Sequence, residues 1–99
     1  MNKDKIKKDW ANRGYSFGVF RDPPGRVWQD FTHASDELFM VAKGRVEVIL
    51  DCKSSIPKIG EEIFIPRGCL HTVKNIGITE SEWFMGIISF KSISVMTRY

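Results

Sequence analysis

Gly60-Glu61-Glu62-Ile63-Phe64-Ile65-Pro66-Arg67-Gly68-Cys69-Leu70-His71-Thr72-Val73-Lys74-Asn75 places two short apolar runs on either side of one sharp break. Glu61–Ile65 and Leu70–Asn75 are rich in Ile, Phe, Val and Thr, side chains that suit a pleated, half-buried surface. Between them Pro66 presets its own φ and Gly68 tolerates a positive one, so the break reads as a turn. The same texture extends outward in both directions. Strands are expected at Val27–His33, Glu37–Ala42 and Arg45–Asp51 before this stretch, and at Glu82–Phe90 after it. Ala34-Ser35-Asp36, Lys43-Gly44, Asp51-Cys52 and Asn75-Ile76-Gly77 supply turn chemistry between them. After residue 13 no segment of useful length has helical period. Short strands at this spacing predict an all-β sandwich or barrel. Arg45-Val46-Glu47-Val48 alternates, as a strand with one wet face does. Glu37-Leu38-Phe39-Met40-Val41 does not, so both its faces should be covered, by the core on one side and a second chain as the candidate on the other.

Size and charge narrow the possibilities. Ninety-nine residues make one domain, with 1–13 as a polar lead-in of about one helical turn and 14–99 as the folded unit. The formal charge is +3, and the excess lies in the lead-in, where Lys3, Lys5, Lys7, Lys8 and Arg13 face Asp4 and Asp9. The remainder is neutral. Four lysines without interleaved aromatics do not make a nucleic-acid surface, and no nucleic-acid partner is expected. The longest apolar run, Trp83–Phe90, is too short to span a bilayer as a helix, so no membrane partner is expected. Two cysteines and no apolar leader segment point to a cytoplasmic protein with reduced thiols.

The chemistry concentrates on the two histidines, His33 and His71, and on Glu37. On one straight strand His33 and Glu37 would share a face but stand roughly 13 Å apart. They can meet if the chain reverses at Ala34-Ser35-Asp36, with His33 closing one strand and Glu37 opening its antiparallel neighbour. His71, delivered by the Pro66–Gly68 turn, could reach the same point from across a barrel. Two imidazoles and one carboxylate would leave coordination positions open, as catalytic metal sites do. Phe31, two residues before His33, should face the same cavity. Phe39, Cys69 and Trp83 are further candidates for its lining, and Asp30 is out of phase with it.

Two spaced motifs carry a resemblance. Gly25, five residues, Phe31, Thr32, His33, three residues, Glu37, six residues and Gly44 are followed, after fifteen residues, by a second set. That set is Gly60, five residues, Pro66, Arg67, Gly68, two residues, His71, three residues and Asn75. The pattern resembles the cupin superfamily, matching nine of ten signature positions. Phe31 stands where the first histidine of the first motif usually lies. The resemblance implies a double-stranded β-helix, or jelly-roll, barrel. It implies a divalent metal (Fe, Mn, Ni or Zn) held by His33, Glu37 and His71, with Phe31 removing one customary ligand. It also implies a homodimer, which the open edges of a short barrel favour as well.

Two functional readings follow. One is a metal-dependent isomerase, decarboxylase or dioxygenase acting on a small carbonyl or enol metabolite. The other is a non-catalytic small-molecule-binding or sensor protein, metal-free in one version. No residue is identifiable as a separate general base, because both histidines are committed to the metal. Whether the chain is an enzyme is open from sequence.

Overall fold

The computed structural model describes residues 1–88, as one helix and eight strands in two antiparallel four-stranded sheets. After α1 (Lys3–Asn12) come β1 (Gly18–Asp22), β2 (Val27–Phe31), β3 (Glu37–Lys43) and β4 (Val46–Leu50). The chain continues through β5 (Lys53–Ser55), β6 (Glu62–Ile65), β7 (His71–Asn75) and β8 (Ser81–Ile87). The sheet orders are β1-β8-β3-β6 and β2-β7-β4-β5. Consecutive strands alternate between sheets in most places, which gives the expected jelly-roll course.

The two sheets face each other across a core of Phe39, Val41, Val46, Val48, Ile65, Cys69, Val73 and Trp83. Each contributes from the inward phase of its strand or from the turn leading into it. Five consecutive residues of β3, Glu37 to Val41, are buried, as the unbroken apolar run requires. The cover on the outer face differs from expectation. It is α1 of the same chain, with Trp10 wholly buried against Leu38, Met40 and Phe84.

The lead-in is also longer than the single turn expected. Asn2 caps it by accepting from the Lys5 N–H at 3.1 Å, Asp4 sits in the first turn, and Ile6 and Trp10 form an i,i+4 apolar pair. Its C-terminal end is tied down by Arg13, whose guanidinium donates to both oxygens of Glu62 on β6 at 2.9 and 2.8 Å. The Trp10 indole donates to the same carboxylate. Gly86 is where helix and sheet come closest, since a Cβ there would collide with the Ser16 carbonyl oxygen and lie 3.0 Å from the Trp10 ring.

Other differences are local. β1 and the three-residue β5 were not anticipated, and β2 ends at Phe31, leaving His33 in a loop. The expected end of β8, residues 89 and 90, lies outside the described residues. Asp51 and Cys52 both take positive φ, 45° and 70°, in the hairpin between β4 and β5, and Cys52 is exposed there.

Candidate metal centre and cavity

Three segments bring the site together. His71 opens β7, an inner strand of its sheet, paired with Phe31 of β2 on one side and Leu50 of β4 on the other. Glu37 opens β3 in the opposite sheet, between Ile65 and Ile87. His33 lies in the loop that crosses from one sheet to the other. β2 and β3 are therefore not hairpin neighbours, and the expected side-by-side arrangement is corrected to a sheet-to-sheet crossing. His33 and Glu37 still meet, because the reversal at Ala34–Asp36 occurs between the two layers. Backbone contacts fix that loop. The Gly68 N–H donates to the His33 carbonyl at 2.9 Å, the Arg67 N–H to Asp36 Oδ1 at 2.9 Å, and the Ile88 N–H to the Asp36 carbonyl at 3.1 Å. The Pro66–Gly68 turn thus holds one ligand candidate while delivering another.

The geometry converges on one point. His33 Nε2 lies 3.3 Å from Glu37 Oε1, and His71 Nε2 lies 3.6 Å from the same oxygen. One donor atom from each of the three residues falls within 4.8 Å of the others. Glu37 and His71 are buried, and His33 is partly exposed. His71 Nδ1 lies 2.9 Å from the Cys69 carbonyl. A carbonyl only accepts, so Nδ1 carries the proton and the Nε2 lone pair of neutral His71 points at Glu37. None of His33 Nε2, Glu37 Oε1 and His71 Nε2 has a hydrogen-bond partner among the described residues. Burial pushes the Glu37 carboxyl up to about 7 and lowers His71 below its usual range.

Three convergent donor atoms without partners, one with its tautomer fixed from behind, fit a cation better than a purely structural cluster. The donor set is two imidazoles and one carboxylate, suited to Fe, Mn, Ni or Zn with further positions open. The residues therefore fit the divalent metal that the sequence suggested.

Beside this group is a cavity of about 400 Å³. Phe20, Trp83 and Met85 wall it from one sheet, and Trp28, Gln29 and Phe31 from the other. His33 is the point at which the metal group reaches it. The Phe31 ring packs 4.1 Å from the His71 ring and 5.6 Å from that of His33, centroid to centroid. Phe39 and Cys69, expected at the lining, are instead in the core. Phe39 lies behind Trp83 at 5.1 Å, and Cys69 precedes β7 with its thiol against the Leu70 carbonyl. Cys69 does not face the cavity because the chain is still turning there, so the strand phase that would align it with His71 has not begun. Asp30 takes a positive φ of 50° at a bulge in β2 and contacts Thr72, away from the metal group.

Asp22 escaped the sequence reading. At the end of β1, buried, its carboxylate accepts from the Trp28 indole at 3.2 and 3.1 Å and from the Trp83 indole at 2.9 Å. One carboxylate thus holds an aromatic wall from each sheet. The available signal was the alternation Tyr15, Phe17, Val19, which marks β1 as a strand and puts Phe20 and Asp22 on its inward face.

The comparisons agree with this architecture. The cupin domain family matches residues 18–87. The chain belongs to the cupin family. Among solved structures it is similar to a cupin 2 conserved barrel domain protein from Salinispora arenicola, with 18% identity and a TM-score of 0.72 over 87% of this chain and 73% of that one. It is similar to a predicted oxalate decarboxylase from Thermotoga maritima, with 22% identity and a TM-score of 0.69 over 89% and 74%. An oxalate oxidase shares 28% identity at a TM-score of 0.70 over 78% of this cupin, which spans 43% of that chain. No curated protein matches the sequence. No described helix is long and apolar enough to cross a membrane.

Proposed function

We propose that this cupin binds a divalent transition metal through His33 Nε2, Glu37 and His71 Nε2, and acts there on a small carbonyl or enol molecule held in the adjoining cavity. The observation that carries the reading is the set of three buried, convergent donor atoms without hydrogen-bond partners. When bound, such a metal supplies Lewis acidity toward an oxygen ligand, the chemistry shared by isomerase, decarboxylase and dioxygenase reactions. The chain's own residues do the rest. The Cys69 carbonyl keeps His71 in the tautomer that presents Nε2. Glu37 supplies the negative charge, and Phe31, Trp28 and Trp83 give the approach apolar walls. The oxalate oxidase among its structural neighbours, at 28% identity, supports chemistry on a small oxygen-bearing molecule for this fold.

A second reading, a binding or sensor module without turnover, is favoured by one observation. Among the described residues lining the cavity, His33 is the one side chain of a type that serves as a general base, and the metal engages it. Elemental analysis of untagged protein purified without chelator tests the first reading. It should find about one equivalent of a transition metal, and less than about a tenth after soaking contradicts it. If metal-loaded protein binds a carbonyl or enol compound and leaves it unchanged, the sensor reading replaces turnover.

We also propose a homodimer, because among the described residues four sheet edges (β1 and β6, β2 and β5) carry strands with one paired side. Elution at the monomer position across micromolar concentrations would exclude it.

A further inference from the structure

The cavity is built for a particular kind of molecule, and its walls identify the kind. Five of its seven lining residues are Phe20, Trp28, Phe31, Trp83 and Met85, and none of the seven is Lys or Arg. The walls are held in place before any ligand arrives. Trp83 stacks on Phe20 at 4.6 Å with 21° between the planes. Asp22 fixes Trp28 and Trp83 through their indole N–H groups. Arg26 lies 4.2 Å over the Trp28 ring and holds it in a cation–π contact. The charges near the cavity give an anion no partner on its lining. Asp22 and Glu37 are buried carboxylates, Arg21 is paired with Glu82 at 2.7 Å, and Arg26 is stacked on the Trp28 ring and is not among the lining residues. Gln29 and His33 are the polar groups on the lining, enough to orient one hydroxyl or carbonyl but not to neutralise a dianion. The volume lies toward the small end of ligand pockets, about 300–1,000 Å³, which suits one or two fused rings.

From this geometry we infer that the cavity takes a neutral, planar aromatic molecule carrying one hydroxyl or carbonyl, its rings against Trp28, Phe31 and Trp83 and its oxygen toward His33. The inference deepens the small-molecule reading above and separates this cupin's ligand from the small dicarboxylate named for two of its structural neighbours.

The test is calorimetric titration of chelator-treated, full-length protein with 1-naphthol and, separately, with oxalate. The expected result is saturable one-site binding of 1-naphthol, at least about ten-fold tighter than oxalate, a preference of roughly 1.4 kcal/mol. Trp28→Ala, at a half-exposed position that the core does not depend on, should weaken 1-naphthol about three- to ten-fold. Absence of saturable 1-naphthol binding, affinity unchanged in Trp28→Ala, or oxalate binding as tightly to either the metal-free or the metal-loaded protein would overturn the inference. Metal content measured on the same preparation separates the two claims. Metal uptake without 1-naphthol binding sinks only the ligand class, and 1-naphthol binding without metal uptake sinks only the metal reading.

Discussion

Two carboxylates, Asp22 and Glu37, are buried in the same barrel, both on strands of the same sheet, and their surroundings differ in one respect. Asp22 accepts three indole contacts from Trp28 and Trp83. Glu37 Oε1 faces two imidazole nitrogens and makes no hydrogen bond with either. A satisfied buried acid ties the structure together, whereas one without partners sits among lone pairs that require a cation or protons. The difference teaches that burial and charge alone do not mark a binding site. Several unfilled valences converging on one point do, and here they coincide with motif residues, whereas the unpartnered Ser81 hydroxyl stands apart from them.

The comparison can be broken most severely at Glu37. Structural metal sites with four ligands gain roughly 10–16 kcal/mol, so removing one of three donors in Glu37→Gln should weaken metal binding about 100- to 1,000-fold. Circular dichroism should show the fold intact, since no hydrogen bond to Oε1 is lost. Asp22→Ala should behave in the opposite way. It strands the buried Trp83 indole N–H and releases the half-exposed Trp28 indole, and should cost about 1–3 kcal/mol in denaturant unfolding while leaving metal stoichiometry unchanged. A variant that lost metal at Asp22, or stability alone at Glu37, would reverse the assignment of the two acids.

Proton competition sharpens the contrast further. Burial raises the metal-free Glu37 carboxyl to about 7, so below that pH a proton occupies the oxygen that the metal needs. Affinity should fall as pH falls below 7, by about ten-fold per unit, and level off above it. His71 is lowered by burial and stays neutral through the upper part of this range, so it should add little slope there. Glu37→Gln should remove the slope, and calorimetry at several pH values would measure it. The smallest effect is expected at Phe31, whose ring already lies against His71. Phe31→His would place a fourth donor beside the group and should tighten metal about three- to ten-fold.

Much of the site was legible because motif residues sit next to turn formers whose conformations are dictated locally. Pro66 and Gly68 set the approach of His71, and Ala34–Asp36 the reversal between His33 and Glu37. Sequence could not show that the reversal crosses between sheets, since the pairing that distinguishes a hairpin from a crossing is made by β7 and β8, far along the chain. Asp22 was hidden for the same reason. Its partner Trp83 is sixty-one residues away, and locally it only precedes the turn formers Pro23-Pro24-Gly25. Phe39 and Cys69 were expected at the lining from strand phase alone, and phase does not tell which end of a barrel's interior is filled. The helix was underestimated because its lysines mask a two-residue apolar contact, Ile6 and Trp10, whose buried partners Leu38, Met40 and Phe84 are on distant strands.

The central claim is that His33, Glu37 and His71 hold a transition metal together. Anomalous diffraction at the metal's absorption edge, from crystals grown without chelator and soaked in Mn, Fe, Ni or Zn, tests it most directly. The account predicts one strong peak about 2.0–2.3 Å from His33 Nε2, a Glu37 carboxylate oxygen and His71 Nε2. Crystals with no peak among those three atoms at any of the four edges would contradict it.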